Sequence, residues 1–350
     1  MKGKELVTRR RFFKNVSFNT AAGVVGTPIF ASAYNEKEKS FEIEKRLPRE
    51  VWLGSVDTNV KFEKTIEERI KNIFKKLENM IPYHPDVICL PETFPHSWVI
   101  EADKMTLEEK AEEVPGPVSK RMAEFAKKHR CYIICPIYTK ENRNIYNSAV
   151  LLDRTGDIAG IYHKAHATEG EIEAGIKSGP LNPPVFKTDF GTIGIQICYD
   201  FKWADSWRNL KKKGAEIVFF PSEAAGGQTV SIRAHDNRYI VVSSTGDDAR
   251  IIDVDGKDIA GTGYHSDWVC APVNLEKVFV NIAPYSKQLD GLRKKYGRKV
   301  YIKLFQKDGL MTIESLHPDV RILDVLKEYN LPTYDEMLEN AEEMQRNSRL

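Results

Sequence analysis

At 350 residues with 41% apolar side chains, the chain is long enough for one large α/β domain or two small ones, and its composition is that of a globular protein rather than a disordered one. Its 52 basic and 50 acidic residues nearly cancel, so no charge footprint for nucleic acid or an anionic membrane is visible. No apolar run reaches the ~20 residues that a membrane-spanning helix needs.

The first 33 residues differ from the rest. Thr8-Arg9-Arg10-Arg11-Phe12-Phe13-Lys14 precedes a weakly apolar segment from Val16 to Phe30, and Ala31-Ser32-Ala33 supplies a small-x-small step before Tyr34. This order resembles the bacterial twin-arginine export signal, which implies a folded protein delivered to the periplasm or the exterior and a leader ending at Ala33. The leader holds six of the basic residues and one of the acidic, so its removal leaves a net charge of −3.

After a linker over 34–49, Val51 to Val56 reads as an opening strand, and 61–80 carries Ile66, Ile70, Ile73, Phe74 and Leu77 at helical spacing, the signature of a helix covering a sheet. The apolar run Val87-Ile88-Cys89-Leu90 then delivers Pro91-Glu92. A loop with Trp98 follows, and Pro115-Gly116-Pro117 punctuates the start of a helix reaching His129. Cys131 to Tyr138 reads as a buried strand, 142–147 as a polar turn and Ser148 to Leu152 as the next strand. Asp153 to Asp157 reads as a hairpin turn before a strand that ends at Lys164. The stretch 166–182 is rich in glycine and glutamate and reads as a loop.

Phe190 to Ile197 is the most informative strand, because Ile193, Ile195 and Ile197 share one face and Cys198 follows at the rim. Beyond it, 203–213 reads as a helix, Ala215 to Pro221 as a buried strand, Ile232 to Arg238 as a helix, Tyr239 to Ser244 as a strand and 251–259 as a hairpin. Charged residues dominate the last 65, ending in an acidic helix-like segment from Tyr334 to Met344. An odd count of five cysteines leaves at least one thiol free in a monomer. Cys131 and Cys135 fall inside a strand pattern and do not read as a metal pair.

Glu92, Lys164 and Cys198 each close a strand, in the settings Pro91-Glu92, Tyr162-x-Lys164 and Ile197-Cys198-Tyr199-Asp200. The set resembles the carbon–nitrogen hydrolase family, the nitrilase superfamily, over roughly residues 50–285. The resemblance implies a four-layer αββα sandwich of two mixed sheets, with 286–350 as an extension used in oligomer contacts. It also implies a cofactor-free hydrolase of non-peptide C–N bonds, in which Cys198 is the nucleophile and forms a thioester, Glu92 the general base and acid, and Lys164 with the Tyr199 N–H the oxyanion donors. No metal is required.

An auxiliary glutamate is expected between the lysine and the cysteine; counted back from Gly179, Glu173 fits first and Glu171 next. Asp200 is expected to fix the turn after the nucleophile, with Arg208 as its partner. Trp98, Trp203 and Trp207 are candidates to line the pocket. The expected substrate is a small amide, with a nitrile or carbamoyl amide as the alternative, and the expected assembly a homo-oligomer. A secreted binding module with an inactive site, or a zinc hydrolase, are the readings from other classes. The loop Thr168-Glu169-Gly170-Glu171 departs from the usual apolar one.

Overall fold

The computed structural model describes residues 47–350, apart from Val60 and Pro284. The arginine-rich leader and most of the linker therefore lie outside the described residues. In chain order the strands are β1 Glu50–Val56, β2 Val87–Cys89, β3 Tyr132–Glu141, β4 Asn144–Leu152, β5 Ile158–His163, β6 Val185–Lys187, β7 Thr192–Ile195, β8 Ile217–Pro221, β9 Ile240–Ser244, β10 Ala249–Ile252, β11 Asp258–Gly261, β12 Trp268–Asn274, β13 Lys277–Asn281, β14 Val300–Phe305 and β15 Leu310–Ser315. The helices are α1 Ile66–Met80, α2 Leu107–Lys110, α3 Pro117–His129, α4 Glu169–Glu173, α5 Ala204–Lys212, α6 Gly227–Asn237, α7 Ser286–Tyr296, α8 Ile322–Glu328 and α9 Tyr334–Ser348.

Two six-stranded sheets, β12-β1-β2-β3-β4-β5 and β6-β7-β8-β9-β10-β11, carry the architecture. Read in those orders, both pair antiparallel, parallel, parallel, antiparallel, antiparallel. The short apolar strands explain the layering, because alternate side chains leave opposite faces. Ile217 and Phe219 of β8 join Leu53, Val87 and Ile134 of the other sheet in a core between the sheets. Val218 and Phe220, between them, pack outward against Trp207 and Leu210 of α5 and Val230 and Ala234 of α6. On the far side Ile70, Ile73 and Leu77 of α1 and Met122 and Phe125 of α3 cover Ile88, Ile133 and Val150. This is the expected αββα sandwich.

Local chemistry sets the boundaries. Helix α1 begins at Ile66, later than its periodicity suggests, because Thr65 and Glu68 form a reciprocal capping box there. The turn expected over 142–147 is shorter: Asn142 and Arg143 both take positive φ, at 48° and 70°, which suits a two-residue hairpin. Asn147 therefore lies inside β4 rather than in a turn.

Strands β14 and β15 were hidden in the charged C-terminal stretch. They pair with β13 in a third sheet, order β13-β15-β14. Val280, Met311 and Ile313 form a core there with Leu292 of α7 and Val325 of α8. Among the described residues no helix is long and apolar enough to cross a membrane.

Candidate active site

Three strand ends converge on one buried cluster. Glu92 follows β2 in a turn held by Thr93, a β-branched residue with φ 41°, whose Oγ1 is 2.7 Å from Ser97 Oγ. Lys164 follows β5, and its backbone N–H donates to Asn147 O at 2.8 Å, extending the β4–β5 ladder by one step. The chain then returns so closely that Gly179 N–H donates to Lys164 O at 2.7 Å. A Cβ at Gly179 would lie 2.4 Å from His163 O, so only glycine fits this approach. Cys198 opens a short 3₁₀ turn with φ 42°, a conformation rarely adopted without surrounding constraint.

Lys164 is 2% exposed, and its ammonium donates to Glu92 Oε1 at 2.8 Å and to both Glu171 oxygens at 3.0 and 2.8 Å. Asn147 Nδ2 parallels it, donating to Glu92 Oε1 and Glu171 Oε1, each at 2.7 Å. The other Glu92 oxygen, Oε2, accepts the Glu223 backbone N–H at 3.0 Å. Burial alone would lower the Lys164 pKa, but the carboxylates of Glu92 and Glu171 outweigh it and hold it above the ordinary lysine value. Lys164 is thus a fixed cation.

Glu171, not Glu173, is the glutamate on Lys164. Glu173 is exposed at the end of α4. The cause is a capping box: Glu171 N–H donates to Thr168 Oγ1 at 3.2 Å, while Thr168 N–H donates to Glu171 Oε2 at 2.7 Å. That reciprocal pair folds the Glu171 side chain back toward the helix start and so toward Lys164. The pattern Thr168-x-x-Glu171 is legible in sequence, and spacing from Gly179 was the weaker guide.

Burial would raise the Glu171 pKa, but Lys164, Asn147 and Thr168 hold it below the usual carboxylate value. A depressed carboxylate stabilises the fold above its unfolded pKa of ~4.3 and stops doing so as pH falls through its lower folded value. The stability gap between the protein and Glu171→Gln is therefore expected to be widest above about pH 5 and to narrow as pH falls below the ordinary carboxylate range, as read by urea unfolding.

Burial first, and then the Glu92 charge, push the Cys198 thiol up to about 12, against the pull of Lys164 and a hydrogen bond with Ser222. The resting sulfur is a thiol, and it becomes a nucleophile only as its proton is taken.

Behind Cys198, the fully buried carboxylate of Asp200 accepts from Tyr162 Oη at 2.7 Å, Ile197 N at 2.9 Å and His166 N at 2.8 Å, with His166 Nδ1 at 2.9 Å. Arg208 is not its partner; it pairs with Asp205 at the surface. Asp200→Asn presents an N–H₂ to donors that need an acceptor and leaves at least one buried N–H unsatisfied. The expected cost is ~1–3 kcal/mol, seen as a lower denaturation midpoint, as the turn that carries Cys198 loosens.

The tryptophans divide. Trp207 is fully buried and donates through Nε1 to Asp200 O at 3.0 Å, so it is core and lines no pocket. Trp203 is 40% exposed and stacks on His166 with ring centroids 4.0 Å apart. Trp98 is 36% exposed and takes φ 60°. Tyr199 is the second residue of the 3₁₀ turn, where a backbone N–H has no partner within the turn. Asn147 and Glu223 escaped the sequence reading.

The profile of the carbon-nitrogen hydrolase family matches residues 56–278. The chain belongs to the carbon–nitrogen hydrolase family. Beta-ureidopropionase of Arabidopsis thaliana is 30% identical over 202 residues, covering 53% of this chain and 50% of the relative. N-carbamoylputrescine amidase of Solanum lycopersicum is 28% identical over 141 residues, 39% of this chain and 47% of the relative. The chain thus spans about half the length of these curated relatives. Among solved structures, Nit3 of Saccharomyces cerevisiae, of the nitrilase superfamily, matches with TM-score 0.57 at 16% identity over 73% of this chain and 97% of that one. An amidase from Nesterenkonia sp. matches with TM-score 0.55 at 16% identity over 67% and 93%. Both likenesses support the sandwich fold of this carbon–nitrogen hydrolase.

Proposed function

We propose that this carbon–nitrogen hydrolase cleaves a small, non-peptide amide through a thioester on Cys198. The observation that carries the reading is the buried Lys164 ammonium held between Glu92 and Glu171, in a cluster whose charges also act on the Cys198 thiol. In the proposed cycle Cys198 Sγ attacks the carbonyl carbon while its proton passes to Glu92. The oxyanion that forms is taken by Lys164 Nζ and the Tyr199 N–H. Collapse breaks the C–N bond, and Glu92 returns its proton to the departing nitrogen, releasing ammonia or an amine. Water then loses a proton to Glu92 as it attacks the thioester, and the acid leaves with the thiol restored.

Nitriles and carbamoyl amides enter the same chemistry, and two relatives bear names of the carbamoyl kind. Ammonia release from a panel of aliphatic amides, carbamoyl amines and nitriles tests the reading. Release from amides or carbamoyl amines is expected; release from nitriles alone would replace it. The arginine-rich leader supports export by the twin-arginine route, tested by fusing residues 1–33 to a reporter. Self-association is proposed on the family resemblance and is read by light scattering.

A further inference from the structure

Glu223 stands beside the Glu92–Lys164–Glu171 cluster with a carboxylate that has no ion-pair partner among the described residues. Its backbone N–H is the group that holds Glu92 Oε2, which places the residue next to the reacting carboxylate. Its own side chain is accessible, accepts one hydrogen bond, from Ser97 Oγ at 2.5 Å, and makes no ion pair among the described residues. Lys164 is already engaged by Glu92 and Glu171. Although the residue is partly open to solvent, the protein around its carboxyl and then the Glu92 charge push it above its ordinary range, against the Ser97 bond and the more distant Lys164. A positive charge brought to it would remove that penalty.

One neighbour points the same way. Trp98 follows Ser97 and presents an exposed indole. It lies beside Gly246, whose N–H donates to Glu223 O at 3.0 Å: a Cβ built there would be 2.6 Å from Glu223 O and 3.7 Å from Trp98 Nε1. An accessible carboxylate with an exposed indole nearby suits an ammonium or guanidinium group.

We infer that Glu223 is a specificity-determining residue that selects amides carrying a cationic group remote from the scissile bond. The inference rests on the amidase reading above. An anionic tail meets three carboxylates there against one lysine, and is excluded by the same charges.

Three amides of matched length test it: an ω-amino pentanamide, hexanamide and the monoamide of glutaric acid. The expected order of kcat/KM is cationic over neutral over anionic, with the first step about tenfold or more. In Glu223→Gln the cationic-to-neutral ratio collapses toward one, through KM rather than kcat. Calorimetry of the three amides on Cys198→Ala gives the same order of affinity without turnover. That separates the two ideas: absent turnover with the affinity order intact counts against the hydrolase reading alone. Equal or anion-favouring affinities, no binding at all, or a Glu223→Gln loss equal across the three amides would overturn the role of Glu223.

Discussion

Cys198→Ala is expected to lower the rate of amide hydrolysis by on the order of 10⁴-fold or more, because without the sulfur no covalent intermediate forms and the residual groups can only assist water. Stability should change little by comparison. Cys198 is half-buried, and alanine removes one sulfur from a site whose turn is held by Asp200 rather than by the thiol. Cys198→Ser is expected to be nearly as impaired, since a hydroxyl is a weaker nucleophile than a thiol and the cluster is arranged around one proton donor of modest acidity. Ammonia release and urea unfolding on the same preparations separate loss of chemistry from loss of fold. A variant that unfolds early and is inactive would say nothing of a thiol; one that is stable and inactive is the expected result.

The second large effect falls on Lys164. Methionine is close in volume but leaves Glu92 and Glu171, whose carboxylates share its ammonium, as facing buried negative charges. Breaking a buried pair by deleting one partner typically costs ~3–5 kcal/mol. Loss of an oxyanion donor typically lowers kcat by ~10²–10³-fold. Lys164→Met should therefore be both destabilised and nearly inactive. Lys164→Arg should not restore activity: a planar fork with five donors does not replace a point ammonium in a space 2% exposed. A Lys164→Met protein of unchanged stability would mean that the carboxylates are better solvated than the geometry shows.

What the sequence revealed and what it withheld follow from physical range. The strands under Glu92, Lys164 and Cys198 are apolar runs with turn signals after them, and such local patterns are legible one residue at a time. The two-sheet layering came from the family resemblance, because burial on both faces gives Ile217 to Pro221 one continuous apolar run that does not say which side meets which layer. Trp207 looked like a pocket residue only because it is near Cys198 in sequence; the helical turn of α5 rotates it into the core.

Asn147 was invisible for a different reason. A polar residue after Asn142 and Arg143 reads as turn, and only the β4–β5 register brings it to Lys164. Glu223 likewise follows a strand as any surface glutamate might, and its meaning comes from a contact 131 residues away in sequence. The choice of Glu171 over Glu173 is recoverable from sequence, since its capping box is a four-residue pattern. The strands β14 and β15 were masked by lysines and arginines around them, although Val300 and Ile302, two positions apart, both pack into the core of the third sheet.

The proposed cycle turns on a covalent acyl group on the Cys198 sulfur. It is tested most directly by mixing the protein with a turned-over amide, quenching in acid within the first turnovers and mapping the modified peptide by mass spectrometry. The expected result is a mass increase equal to the acyl group on the peptide containing Cys198, discharged by hydroxylamine and absent in Cys198→Ala. Turnover with no adduct on Cys198, together with an active Cys198→Ala, would contradict it.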